Sequence, residues 1–125
     1  MKKSIKGIGV DAGIIVIADI SHYQEYERNE KAIASENTLD LENGEYDISW
    51  KIADTWNGTI EGSGVVTVQS GKIIISDPCY IANNWDKWLD DFDSGSIKNI
   101  IYIDSMGGDG VYTMEINLQR RDNEK

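Results

Sequence analysis

The chain is poor in several residue types that would narrow its chemistry. Cysteine, proline and histidine each occur once, as Cys79, Pro78 and His22. A lone cysteine excludes an intramolecular disulfide and fits a reducing compartment. A structural zinc site takes about four Cys or His ligands, so no metal centre of that kind is expected. Ser-His-Asp or Cys-His catalysis needs a histidine beside a nucleophile. His22 is the one candidate, and the repeat described below sets it at a different place from Cys79, so no catalytic pair is expected. No P-loop, GxGxxG or HExxH is present. Long apolar runs are missing too. Residues 14–18 fall far short of the ~20 needed to cross a bilayer. They are also too short to complete a signal peptide after the basic Met-Lys-Lys-Ser-Ile-Lys start. A cytoplasmic protein without cofactor or metal is the expectation.

Basic residues are scarce relative to acidic ones: 12 Lys and Arg against 22 Asp and Glu, a net charge of −10 over 125 residues. Such a surface repels nucleic acid and anionic membranes and attracts basic proteins. Solubility alone is the plainer explanation of the same excess. The length suits one domain, 1–125, burying roughly two-thirds of its unfolded surface.

What the chain does have is strand-like patterning, and it recurs. At an offset of 58, Ile8-Gly9-Val10-Asp11-Ala12-Gly13 matches residues 66–71, and Ile15-Val16-Ile17-Ala18-Asp19 matches residues 73–77. Each copy reads strand, small polar turn ending in glycine, strand, then Asp. Gly13 and Gly71 suit the positive φ of a hairpin turn. The second strand of each copy is apolar on both faces, hence central and covered. At an offset of 66, residues 43–52 match residues 109–118. There Tyr46, Ile48, Trp50 and Ile52 share one face, as do Tyr112, Met114, Ile116 and Leu118, which is the pattern of a half-buried strand. Asn57-Gly58 marks a tight turn joining residues 48–53 to 59–68. Residues 38–41 and 98–103 read as further strands. Segment 22–35 reads as a short helix or ordered loop, and residues 120–125 as a frayed end. Internal repetition therefore predicts two related half-units, about 4–53 and 62–118.

Residues 70–92 are the densest stretch. Pro78 stops the central strand at Asp77. Asn84 is a helix cap, and Trp85, Trp88, Leu89 and Phe92 follow at helical spacing. Burying those four would contribute on the order of 6–12 kcal/mol before entropy, so the spacing predicts a docked helix over 84–92. The expected fold class is α+β, mostly β. It has two half-units forming one antiparallel sheet or sandwich core, plus that helix.

On the helix, Asp86, Asp90 and Asp93 share an exposed flank, with Asp91 beside them. Like charges at these spacings, near a helix C-terminus, cost stability locally. Residues 36–61 add seven acids against Lys51 alone. Two such patches could imitate a phosphate backbone. Asp104 and Asp109 sit in an acidic, glycine-rich loop, 104–110. That loop lacks EF-hand spacing and reads as a long hairpin loop, although a cation there is the alternative. Asp19 and Asp77 end matching strands. Together they could form a carboxylate pair, but an Asx-turn role is the usual one. A small-ligand pocket is the alternative use of these ends, with Asp19 and Tyr23 at one and Asp77, Tyr80 and Trp85 at the other.

Asp-Pro-Cys-Tyr at 77–80 followed by Trp85, and Gly-Asp-Gly-Val-Tyr at 108–112, resemble a pattern in short proteins of bacteriophages and their hosts. The resemblance covers mainly residues 71–118. The first half departs from it, with Asp-Ile-Ser-His-Tyr in place of Asp-Pro-Cys-Tyr. It implies a phage or mobile-element setting, where small acidic inhibitors of host defence, including anti-CRISPR proteins and DNA mimics, are frequent. The expectation is a non-enzymatic protein that binds a basic, nucleic-acid-binding host protein through Asp86, Asp90, Asp91 and Asp93. Asp104 and Asp109 would lie at the rim. A nucleotide-type ligand sponge is the alternative, and a homodimer is compatible with either.

Overall fold

In a computed structural model of the chain, residues 1–11, 13–22, 37–80, 100–104 and 107–121 are described. They form eight strands: β1 Lys2–Val10, β2 Ile15–Asp19, β3 Thr38–Asp40, β4 Gly44–Thr55, β5 Gly58–Val68, β6 Lys72–Ser76, β7 Ile101–Ile103 and β8 Gly110–Arg120. Single 3-10 turns follow β2 at Ile20–His22 and β6 at Pro78–Tyr80. Pairing is antiparallel throughout. One sheet runs β1-β8-β4-β5 and the other β3-β6-β2-β7.

Side-chain alternation explains which strands go where. β4 and β8 turn Tyr46, Ile48, Ile52, Tyr112, Met114, Ile116 and Leu118 into the core, while the odd-numbered residues between them are mostly exposed. That is a period-2 strand with one wet face. β2 and β6 have no wet face. Ile15, Ile17, Ile73 and Ile75 join the core shared with the first sheet, and Val16, Ala18 and Ile74 on their other face are equally buried. These two strands occupy the centre of the second sheet, as runs apolar on both faces should.

Two expectations are corrected. The described residues are all-β, two four-stranded sheets enclosing a core, with no α-helix among them, rather than an α+β domain with a docked helix; of the expected sheet or sandwich core, it is the sandwich that forms. Segment 84–92, to which the apolar stripe assigns the helix, lies outside the described residues. The glycine turns are not hairpins either. Gly13 and Gly71 do take positive φ, 76° and 75°. Yet the strands on either side of each belong to different sheets. The amphipathic strand before the glycine joins the half-wet sheet, and the wholly apolar strand after it joins the covered one, so the chain arches between layers. The turn at Trp56-Asn57 is a true hairpin, pairing Thr55 with Gly58.

Each pair of hydrogen-bonded strands joins a strand before Trp56 to one after it. Exchanging β1 with β5, β2 with β6, β3 with β7 and β4 with β8 reproduces both strand orders. The registers agree. Ile8 faces Tyr112 and Val10 faces Gly110, while Val66 faces Tyr46 and Val68 faces Gly44. Ile17 faces Ile75, and Trp50 faces Ile116. One asymmetry is a register shift in β1 between Ile5 and Ile8, where Gly7 has φ 72°. Among the described residues no helix is long and apolar enough to cross a membrane.

Candidate functional site

Asp19 and Asp77 are the buried carboxylates of the described residues, at 2% and 0% exposure. Asp19 Oδ1 accepts the N–H of Gln69 at 2.7 Å and of Ser70 at 3.0 Å, and Oδ2 accepts the N–H of Ser21 at 3.0 Å. Burial pushes its carboxyl up. The Ser21 hydroxyl and the three backbone donors outweigh that and hold it at about 2. Asp77 repeats the arrangement, with Oδ2 accepting from Asp11 N–H at 2.8 Å and Oδ1 from Cys79 N–H at 2.9 Å. Each carboxylate thus ties the turn after its own strand to the arch of the opposite half. That supplies partners for backbone donors that burial would otherwise orphan.

The two carboxylates do not meet. Asp19 faces Ile73, and Ser76 faces Val16, so Asp77 stands level with Ile15 at the far end of the β2–β6 pair. Four residues at about 3.4 Å each separate the levels. Matching positions on antiparallel strands fall at opposite ends, which the sequence comparison alone does not reveal. A carboxylate pair, or one pocket using both strand ends, is therefore not assembled. Tyr80 closes the 3-10 turn after Asp77. Tyr23 and Trp85 lie outside the described residues, as do Asp86, Asp90, Asp91 and Asp93.

Asp104 and Asp109 are both exposed, and the loop between them has a structural function. Trp56 Nε1 donates to the Asp109 carbonyl at 3.2 Å, and Tyr112 Oη donates to the Gly108 carbonyl at 2.7 Å. A Cβ on Gly108 would stand 2.9 Å from Trp56 Nε1, and one on Gly107 2.9 Å from Asn57 Nδ2. The glycines let this loop lie against the β4–β5 tip. Among the described residues no group of three or more His, Cys, Asp or Glu could hold a metal ion.

The acidic block at 36–61 is not a bare patch. Lys72 pairs with Asp40 at 3.6 Å and Arg120 with Glu42 at 2.8 Å, while Arg121 reaches Asp47 at 2.9 Å and Glu45 at 3.7 Å. Exposed pairs of this kind add little stability, but they neutralise the surface locally. They also show that Arg120 and Arg121 are held by the sheet rather than frayed. All these cations gather at the end of the sandwich that carries the Gly71 arch.

The opposite end differs. The β1–β8 register brings Asp11 beside Gly110, the β2–β7 register brings Asp104 beside the Gly13 arch, and Trp56 bonds to Asp109. Asp11, Asp54, Asp104 and Asp109 are exposed there. No Lys or Arg occurs among the described residues of the loops and turns forming this end. Trp56 and Val111 stand beside these acids, 74% and 75% exposed. Sequence reasoning missed this combination, although one signal was available. Trp56 falls in a tight turn, where no inward face exists to bury it. Comparison of the chain with protein-family models, with curated proteins and with solved structures gives no match.

Proposed function

We propose that this chain is a non-enzymatic acidic binding protein from a phage or mobile-element setting. It inhibits a host defence protein by occupying that protein's basic, nucleic-acid-binding surface. The observation that carries the reading is the charge difference between the two ends of one sandwich. At the Gly71 end the acids meet Lys72, Arg120 and Arg121. At the Gly13 end Asp11, Asp54, Asp104 and Asp109 are exposed, as are Trp56 and Val111. Exposed carboxylates near an aromatic anchor suit a cationic surface. The rim charges steer the encounter, and the ring supplies the buried contact. In this reading Asp86, Asp90, Asp91 and Asp93, which lie outside the described residues, are further contact groups. The commitment of Asp19 and Asp77 to backbone donors leaves the exposed acids as the working groups.

The test is capture of basic proteins from a host lysate at low and high salt, with the intact chain and two sets of variants. Asp54→Lys with Asp109→Lys alters the described end, and Asp86→Lys with Asp90→Lys and Asp93→Lys alters the other acidic group. Capture that weakens with salt and is lost in one or both folded variants is the expected result. Capture indifferent to salt and to both sets of substitutions refutes the reading.

A further inference from the structure

β1 and β5 occupy equivalent edges of the first sheet, but only β1 is guarded. β1 carries Lys2, Lys3 and Lys6 and a register shift at Gly7. Lysines and bulges are common means of keeping a sheet edge from pairing with another chain. β5, Gly58–Val68, carries no lysine and no proline, and beyond a register shift at its first residues, opposite Ile52–Thr55, its register is unbroken from Ile60 to Val68.

The direction of its backbone groups follows from the ladder. Arg121 N–H donates to the Glu45 carbonyl, and Met1 and Leu118 bond to each other in both directions. Odd-numbered residues of β4 thus turn their N–H and C=O toward β8, and even-numbered ones turn toward β5. Across the ladder, Thr59, Glu61, Ser63, Val65 and Thr67 turn theirs outward from β5. No described residue outside the strand bonds to them. Trp50 and Ile60 are only half-buried. The Trp50 indole lies against Gly62, where a Cβ would stand 2.6 Å from Cζ2, and its Nε1 is buried without a partner.

We propose that the β5 edge pairs with β5 of a second copy, antiparallel about Ser63, joining the two first sheets into one eight-stranded sheet. The strand is self-complementary in that register. Ser63 faces Ser63 of the other copy, Glu61 faces Val65, and Thr59 faces Thr67, so every outward residue finds a partner. A register centred on Glu61 sets two carboxylates opposite each other, which is unfavourable. A net charge of −10 on each copy makes the copies repel, so salt strengthens this association. Partner capture under the proposed function has the opposite salt dependence, so either idea can fail without the other.

The experiment is light scattering after gel filtration from micromolar to millimolar protein, with amide exchange at both extremes. A mass rising from 14.0 kDa to about twice that is expected, more readily at high salt. With it, exchange slows at Glu61, Ser63, Val65 and Thr67, while Gly62, Gly64 and Val66 change little. Ser63→Pro removes only an outward N–H, and edge strands tolerate proline, so this variant stays folded and monomeric. Val65→Glu, which sets a carboxylate opposite Glu61 of the other copy without altering the backbone, also gives the monomer. A wild-type chain monomeric throughout, or both variants dimerising unchanged, overturns the proposal.

Discussion

Asp19→Asn is the most direct probe of what holds the two halves together. The wild-type carboxylate receives backbone N–H groups from Gln69, Ser70 and Ser21, and its pKa is lowered from 3.8 to about 2. The folded value lies below the unfolded one, so the ionised group stabilises the fold. A difference of that size corresponds to roughly 2.5 kcal/mol. The stabilisation is fully present above about pH 4–5 and is lost as pH falls through about 2. Asparagine keeps one acceptor but presents an NH2 to the donors that faced the second oxygen. At pH 7 the variant should therefore be less stable by about 2–3 kcal/mol, a large part of the usual margin. Urea titrations of wild type and variant from pH 7 to pH 2 measure this. The gap between the two curves should narrow steadily below pH 4, because protonated Asp19 loses the same advantage. Asp109→Asn, an exposed control, should show almost no gap. A gap for Asp19→Asn that is absent at pH 7, or that stays constant down to pH 2, refutes the assignment of Asp19 as an ionised tie between the halves.

Glycines on the inner side of β5 offer a packing test. Gly62→Ala drives a methyl to 2.6 Å from Trp50 Cζ2, and Gly64→Ala to 2.8 Å from Ile101 Cγ1. Each should lower stability by about 1–3 kcal/mol in denaturant melts. Gly9→Ala, with nothing within 4 Å, should be close to neutral, and equal losses at all three positions would contradict the packing described. The cross-half pairing predicts that residues 1–56 and 57–125, made separately, give no folded monomer by circular dichroism. Mixed, they should recover a β spectrum. A cooperatively folded monomeric fragment would rule this out.

Much of the β architecture was legible because its signals are local. Alternation in 46–52 and 112–118 identified the half-wet strands, and the isoleucine-rich runs at 14–18 and 73–75 identified the central ones. Asn57-Gly58 located the one hairpin of the described residues, and Gly13 and Gly71 announced positive φ. What local pattern does not carry is pairing. An arch and a hairpin use similar glycine turns, and only the burial of both faces of the following strand separates them. The meaning of Asp19 and Asp77 depended on the antiparallel register that sets them at opposite ends. The acidic block at 36–61 looked bare because Lys72, Arg120 and Arg121, which neutralise it, are distant in sequence. Trp56, by contrast, could have been assigned to the surface from its place in a two-residue turn.

The interlocking of the halves bears on how the chain reaches its native state. Among the described strands, Trp56-Asn57 makes the one short connection between paired strands; the other pairings there each bring together segments far apart in the chain. Such a topology folds slowly, because long loops must close before the pairing compensates for their lost entropy. During synthesis β1, β2 and β3 leave the ribosome with no neighbour to bind. Their apolar faces wait for β6, β7 and β8, so the interval before the last strand emerges is when this protein is most open to aggregation or capture by chaperones.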